Sequence, residues 1–343
     1  MLDYSAKEYD AILRESGQAL PASPETLDFV GYATLAPNGH NTQPWLFRAA
    51  AGAIEILPDF SRATPVVDPD DHHLFASLGC AAENLVIAAH ERGRAGELAF
   101  IGGPSNAIRI DMAQASSLAN AEDSHLLEAI LRRQSTRMPF DGRQAPPDVL
   151  ARLEVASHVA GVELHLLTGN RMEPVLELLI AGNSRQMDDS AFIAELRHWL
   201  RFNPRAAART RDGLYSACSG NPILPTWLGS IMFKIAFAKE GENRKYAEQV
   251  RTSAGVAVFV APTNDPAGWV AAGRSCQRFA LQAVADGLKT SFINQPKEDL
   301  QARKELQSLL GIGNRRPNLV MRFGYGPDMP RSLRRTPQSV LMA

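Results

Sequence analysis

Two short polar segments constrain this chain more than any other feature: Ala36-Pro37-Asn38-Gly39-His40-Asn41-Thr42-Gln43-Pro44-Trp45 and Arg132-Arg133-Gln134-Ser135-Thr136-Arg137-Met138-Pro139-Phe140. Each falls at the boundary of an expected helix, and each gathers hydrogen-bonding groups where the backbone must change direction. Pro37 stops the preceding helix and Pro44 stiffens the far end, so Asn38, His40, Asn41 and Gln43 sit on a short loop whose amide and imidazole groups can both donate and accept. In the second segment Arg133, Ser135 and Arg137 alternate just past a helix end, and alternate residues of extended backbone point the same way and can converge on one anion. Arg334 and Arg335 can close on the same group from another direction, because guanidinium groups bind phosphate bidentately. The plainer account of the same residues is a set of surface arginines in ion pairs and an asparagine-rich loop that caps its own backbone.

A chain of 343 residues exceeds the usual single-domain range, and an apolar content of 45% supplies sizeable cores. A formal net charge of -1 argues against bulk attraction to nucleic acid or to an anionic membrane. Charge is nevertheless clustered at the C-terminal end, where Arg315, Arg316, Arg322, Arg331, Arg334 and Arg335 are accompanied by one acid, Asp328. Such a cluster calls for an anion or a set of carboxylates. Cys80, Cys218 and Cys276 lie far apart with no CxxC pair, which suggests neither a disulfide framework nor a zinc knuckle, and a reducing compartment fits best. With no signal-peptide pattern and no long apolar run, the expectation is a cytoplasmic protein without a membrane span.

The patterning predicts helices over 5–16, 24–35, 71–92 and 123–132, another beginning at Pro146-Pro147-Asp148, two more before Asn203, and then 266–287 and 297–310. Strands are expected over 45–48, 53–57, 97–101, 107–110, 162–167, 254–261 and 289–293, with 318–324 as the last. From Phe202 to Tyr246 the pattern is irregular, broken by Pro204, Gly213, Gly220, Pro222, Pro225 and Gly229, and reads as a lid or binding loop. Gly79, Asn84 and Gly93 in the first long helix recur as Gly273, Arg278 and Gly287 in the late one, 194 positions further on. The repeat is weak, and a chance coincidence explains it as well as a duplicated lobe does.

Other chemistries fit less well. Asp68, Asp70, Asp71, His72 and His73 could hold a metal, but consecutive histidines at a helix start project in different directions and capping is the expected role, so no metal is assigned. Gly311-Ile312-Gly313 and Gly324-Tyr325-Gly326 lack the third glycine and the strand-to-helix context of a dinucleotide fingerprint. The terminal arginines lack interleaved aromatics for nucleic acid.

The loop APNGHNTQPW is similar to the APSSxNxQPW segment of the nitroreductase family, and RQSTRMPFD resembles that family's R-x-S-x-[RK] phosphate motif followed by an aromatic. With DFSRATPVVDPDD, the glycine-led helix and SFINQPKED, the chain looks most like the Acg-type, FMN-binding branch, over nearly its whole length. The resemblance implies an α+β, three-layer, nitroreductase-like fold with mixed or antiparallel sheets, two halves being fused in one chain as a pseudo-dimer. The first half, 1–120, would carry the HNTQPW loop and the second, 121–343, the phosphate motif, with a lid insert over 202–246. Arg133 and Ser135 would contact the FMN phosphate and ribityl, Arg137 would lie towards the pyrimidine ring, and Arg334 and Arg335 would complete the phosphate site. Asn38, His40, Asn41 and Gln43 would face the flavin edge, and Phe292, Asn294 and Gln295 would run past its central ring, Asn294 and Gln295 standing where typical members carry glutamate and glycine. Because each motif occurs once, one FMN per chain is expected. The activity implied is NAD(P)H-dependent, two-electron, ping-pong reduction of a nitroaromatic, quinone or other small-molecule acceptor. The flavin carries the chemistry, so no catalytic side chain is assigned. The alternative is a flavin-sequestering protein with a covered cofactor. The fused halves would form a monomeric pseudo-dimer, open to further homo-oligomerisation.

Overall fold

A computed structural model describes residues 2–115 and 124–342. The chain begins with α1 (Leu2–Ser16) and α2 (Thr26–Thr34). A capping box fixes the start of α2, where the Glu25 N–H donates to the Asp28 carboxylate at 2.8 Å. After the Asn38–Gln43 loop, β1 (Trp45–Ala50) and β2 (Ala53–Pro58) form a hairpin, and α3 (His72–Glu91) follows. Asp68 caps α3, its two carboxylate oxygens accepting from the backbone N–H groups of His73 (2.9 Å) and Leu74 (3.0 Å). Strands β3 (Leu98–Ile101) and β4 (Ala107–Asp111) complete this region.

Beyond residue 123 come α4 (Ser124–Arg132), α5 (Pro147–Ala156), β5 (Glu163–Leu167), α6 (Glu173–Asp188) and α7 (Ser190–His198). The expected helix start at 123 and the boundary between halves at 120/121 lie outside the described residues. Next are β6 (Leu200–Arg201), α8 (Pro204–Thr210), β7 (Leu214–Tyr215), α9 (Thr226–Ala236) and α10 (Lys239–Arg251). The stretch expected to be irregular is therefore largely helical. Two of its three prolines open helices instead of breaking them, Pro204 as the first helical residue and Pro225 as the N-cap, and Tyr246 falls inside α10.

Strand β8 (Gly255–Val260), α11 (Pro266–Ala285), β9 (Lys289–Phe292), α12 (Gln295–Glu298), α13 (Leu300–Leu310), β10 (Pro317–Gly324), α14 (Pro337–Val340) and β11 (Leu341–Met342) close the chain. Two expectations are corrected here. The helix over 297–310 is split at Asp299, whose carboxylate accepts from the Ala302 N–H at 2.8 Å and so begins a new helix. Strand 318–324 is not the last, because β11 pairs in parallel with β1.

Among the described residues the strands form two main sheets, ordered β11-β1-β2-β4-β3 and β5-β8-β10-β9, with a separate β6-β7 pair. The order is mixed in the first sheet and antiparallel in the second. In β8 every residue is buried, and the alternation assigns Val256, Val258 and Val260 to a core shared with α6 and α13, while Ala257 and Phe259 face a core shared with α11 and α5. The core of the first sheet is built on α2, α3 and α4, with Trp269 and Val270 of α11 entering it. Helices and sheets are thus layered as an α+β fold. No helix of the described residues is long and apolar enough to cross a membrane.

Helices α3 and α11 cross at the centre, and the sequence repeat is realised there. A Cβ on Gly79 would meet the Val270 carbonyl and one on Gly273 the Ala76 carbonyl, both well under the 3.0 Å that Cβ atoms keep. Asn84 accepts from Gln277 at 2.6 Å, while Glu83 accepts from Arg278 at 2.9 Å. Residues 76, 79, 83 and 84 correspond to 270, 273, 277 and 278 at the same spacing of 194, so each contact has its mirror. This is the pattern of an isologous two-fold contact, here within one polypeptide.

Candidate functional site

The two motif loops approach one another at the end of this helix pair. The RQSTR segment leaves α4 and runs beside β9, with Ser135 bridging Thr290 and the Thr136 N–H donating to the Thr290 carbonyl at 2.9 Å. Behind it lies Arg322 of β10, fully buried, which donates to the carbonyls of Thr136 and Met138 (both 2.9 Å) and stacks 4.1 Å from the Phe140 ring. The aromatic that follows the motif therefore packs the guanidinium that shapes it.

Arg133 and Ser135 line a cavity of about 210 Å³, together with Arg331, Arg334 and Cys218. Arg133 is buried, gives one bond to the Leu35 carbonyl (3.3 Å), and leaves its Nε without a partner. Arg334 donates to the Thr34 carbonyl (2.9 Å) and to Asn41 Oδ1 (2.8 Å). Among the described residues neither guanidinium has a carboxylate partner. Burial lowers Arg133 to about 9, Arg334 adding to the effect, and burial lowers Arg334 to about 10. Both remain charged at neutral pH. Two adjoining cations without a counter-charge, Arg133 buried and Arg334 half-buried, are costly to keep, and they mark a site for an anion.

Arg335 is placed elsewhere. Its N–H donates to Gln43 Oε1 at 2.7 Å, and its side chain reaches Asp59 (3.4 Å) and the Ser339 carbonyl (3.3 Å). The second late arginine at the cavity is Arg331, which also donates to the Leu131 carbonyl. Arg331 belongs to the arginine-rich C-terminal stretch, but nothing in its spacing singled it out. Leu13, Arg14 and Gly17, at the end of α1, close the cavity from a third side without any signal in the sequence. Tyr9 of α1 secures that closure by donating to the Arg331 carbonyl.

Arg137 does not line this cavity and donates instead to Ser219 Oγ of the 202–246 stretch at 2.9 Å. His40 lies close enough to feel it: burial first, and the Arg137 charge second, hold His40 down to about 4, so its ring is neutral. His40 Nδ1 is buried without a partner, as are Thr136 Oγ1 and Gln295 Oε1. The loop has unusual backbone, with His40, Asn41 and Gln43 all at positive φ (48°, 55°, 55°). Left-handed geometry at three non-glycine residues costs of order 1–3 kcal/mol each and persists where surroundings over-determine it.

Those surroundings are visible. Asn38 Oδ1 accepts from the Gln43 N–H (2.8 Å), Asn41 Nδ2 donates to the carbonyls of Gly213 and Leu333 (both 3.1 Å), and Gln43 Nε2 donates to the Arg211 carbonyl (2.8 Å). Asn41 and Gln43 thus knit the loop to the insert and the C-terminal segment, Asn38 braces it from within, and of the four His40 alone retains an unpaired buried nitrogen. On the other side, Phe292 packs in the second-sheet core, Asn294 Oδ1 accepts from the Val320 N–H (2.9 Å), and Gln295 Nε2 donates to the Tyr246 hydroxyl (2.8 Å).

The donor set fits a planar, singly phosphorylated ligand: buried guanidiniums and a hydroxyl at one end, a neutral imidazole and a second guanidinium towards the other. No family model matches the chain. The chain is 23% identical over 317 residues to the Mycobacterium tuberculosis protein named "Putative NAD(P)H nitroreductase Rv3131", covering 90% of this chain and 87% of that one. It is 22% identical over 314 residues to "Putative NAD(P)H nitroreductase acg" of the same organism, covering 90% and 91%. Among solved structures it is similar to a nitroreductase with bound FMN from Desulfitobacterium hafniense (TM-score 0.41, 11% identity, 64% of this chain and 98% of that one). It is also similar to the FMN-dependent nitroreductase NfnB from Mycobacterium smegmatis in complex with NADPH (TM-score 0.39, 16% identity, 60% and 88%). With both loop motifs in place, the chain is similar over nine-tenths of its length to proteins named as NAD(P)H nitroreductases.

Proposed function

We propose that this chain binds one FMN between its two motif loops and acts as an NAD(P)H oxidoreductase that reduces nitroaromatics, quinones or similar small acceptors in two-electron, ping-pong turnover. The observation that carries this reading is the pair of adjoining guanidiniums, Arg133 buried and Arg334 half-buried, that line one cavity without a carboxylate partner among the described residues. Arg133, Ser135, Arg331 and Arg334 hold the phosphate. His40 Nδ1, Thr136 Oγ1 and Gln295 Oε1 are the unsatisfied groups that a polar ring edge would satisfy. Bound there, FMN supplies the hydride chemistry, and the protein sets orientation, potential and access. The mirrored α3–α11 crossing supports reading the chain as a fused pseudo-dimer, with halves at 1–120 and 121–343 and a single cofactor site between them.

The holoprotein should be yellow, with absorbance at about 450 nm from a bound flavin, and should release FMN at one per chain on denaturation. A ratio near two per chain contradicts the fused-interface assignment, and a colourless protein that takes up no FMN in a calorimeter overturns the reading altogether.

Arg137 is half-buried near His40 and has no carboxylate partner among the described residues, so it would stabilise negative charge gathered on the pyrimidine edge on reduction. Arg137→Ala should lower the two-electron reduction potential by roughly 30 to 60 mV, the equivalent of about 1.4 to 2.8 kcal/mol. A potentiometric titration showing no change with FMN still bound removes that role.

One set of contacts favours a second reading. The insert 202–246 grips the first loop through Gly213 on Asn41 and Arg211 on Gln43, holds Arg137 of the second motif through Ser219, and reaches Gln295 through Tyr246. It would then act as a lid over the flavin, and the protein would sequester cofactor with little turnover. Stopped-flow reduction by NADPH separates the two readings: fast reduction in the intact chain supports the oxidoreductase, whereas fast reduction only after the lid is deleted supports sequestration.

A further inference from the structure

Lys297, on the single turn α12, is fully buried at the meeting of α3, β10 and α13, away from the cavity described above. Ligand atoms of Asp68, His72 and His73 lie there within 4.8 Å of one another, close enough for a metal ion. The direction of the hydrogen bonds argues for a different occupant. The ladder begins at a fixed point, the Ala261 N–H, which donates to Asn318 Oδ1 at 2.6 Å. The Asn318 amide nitrogen therefore faces His72 Nε2, at 3.0 Å, and since an amide NH₂ only donates, Nε2 must accept. His72 is fully buried, and desolvation followed by the Lys297 and arginine charges holds its ring well below the usual range, so it is neutral and carries its proton on Nδ1. Nδ1 faces Lys297 Nζ at 3.2 Å. An ammonium has three donors and no acceptor and cannot meet an N–H, but an uncharged amine offers one lone pair. A metal on Nδ1 would need the proton on Nε2, pointing straight at the Asn318 donor.

We propose that Lys297 is held as an uncharged amine that closes a hydrogen-bond ladder from β8 and β10 to the start of α3, and that its protonation on acidification is a pH-sensitive latch release between them. The groups facing it are Asp68, His72 and His73 from the α3 start, Glu298 from its own turn, Arg316 from the approach to β10 and Arg303 from α13. Asp68 and Glu298 favour the charged form, the two arginines oppose it, and burial is the largest influence, lowering Lys297 from 10.5 to about 7. The unfolded chain therefore binds more protons than the native one between about 7 and 10.5, so this group's contribution to stability rises with pH across that window and is lowest below it. Asp68, raised by burial from 3.8 to about 6, acts oppositely at lower pH, where the native state holds the extra proton and stability falls as pH rises. The latch is one turn from Gln295, which holds Tyr246 of the insert, so its release loosens the cover of the candidate site.

The test compares the full-length protein with Lys297→Met and Lys297→Arg by thermal unfolding at pH of about 8 and about 6. The uncharged methionine should melt within a few degrees of wild type at the higher pH and lose much less than wild type on acidification, whereas the permanently charged arginine should melt on the order of 10 °C lower. The reverse order, with arginine tolerated and methionine strongly destabilised, means Lys297 is an ammonium neutralising Asp68 and Glu298 and overturns the proposal. If neither variant folds, amide hydrogen exchange on wild type decides. Faster opening at Leu74 and Phe75 in acid, after correction for intrinsic rates, supports the latch, and unchanged protection overturns it. Zinc titration should show no stoichiometric uptake, and tight binding that His73→Ala abolishes would assign the cluster to a metal instead. None of these readouts depends on flavin.

Discussion

Arg133→Ala should yield a protein that purifies colourless and binds FMN roughly 100- to 1,000-fold more weakly, the equivalent of about 3–4 kcal/mol. The same variant should be as stable without flavin as wild-type apoprotein, or more stable. These two results belong together. Arg133 is buried with its Nε unpaired and another cation, Arg334, beside it, so in the absence of an anion it is a destabilising charge. A merely structural arginine would behave in the opposite way, its loss lowering stability while leaving flavin affinity largely intact. Fluorescence titration of FMN into refolded apoprotein, with melts of both proteins with and without cofactor, separates the cases. Wild-type affinity in Arg133→Ala would falsify the phosphate assignment.

The convergence of Arg133 and Ser135 on one cavity was legible because alternation on extended backbone is a local property, and the segment is extended where it runs beside β9. The role of Arg334 against Arg335 was not. Adjacent residues point to opposite sides, and which one faces inward depends on where the C-terminal segment meets the Asn38–Gln43 loop, a contact nearly 300 residues distant in sequence. For the same reason it is Arg331, four residues before Arg335, that lines the cavity with Arg334. In the HNTQPW loop the residue types were readable, but their partners were not. Asn41 and Gln43 spend bonds on Gly213, Leu333 and Arg211, all far along the chain, and no spacing rule reveals such closures.

Secondary structure followed the same division. Strand β8 and helices α3, α6 and α11 were readable from periodicity and caps, because their cores are regular. The insert misled because proline and glycine punctuate short helices as readily as loops. In α9 the apolar residues are not even buried: Trp227 is 67% and Ile235 73% exposed, so burial periodicity had nothing to report.

The weak glycine repeat, undecidable as sequence, acquires a physical meaning at the helix crossing and leads to the other large expected effect. Gly79→Ala and Gly273→Ala should each destabilise the protein by roughly 3–5 kcal/mol, because a methyl group at either position runs into backbone of the opposing helix, not into a side chain that can rotate away. Alanine's better helix propensity returns only about 0.5–1 kcal/mol, so steric overlap decides the sign. The mirrored geometry predicts near-equal costs at the two positions, although they lie in different parts of the chain. It also predicts strong non-additivity. Moving the helices apart to admit one methyl opens the same crossing for the other, so the double variant should cost little more than either single one. That separation would also strain the Asn84–Gln277 and Glu83–Arg278 bonds, which span the crossing at 2.6 and 2.9 Å. Denaturant unfolding of the four proteins completes the cycle. Unequal single effects, or a double effect equal to their sum, would mean that the two glycines sit in independent environments and that the mirrored contacts are not one shared two-fold crossing.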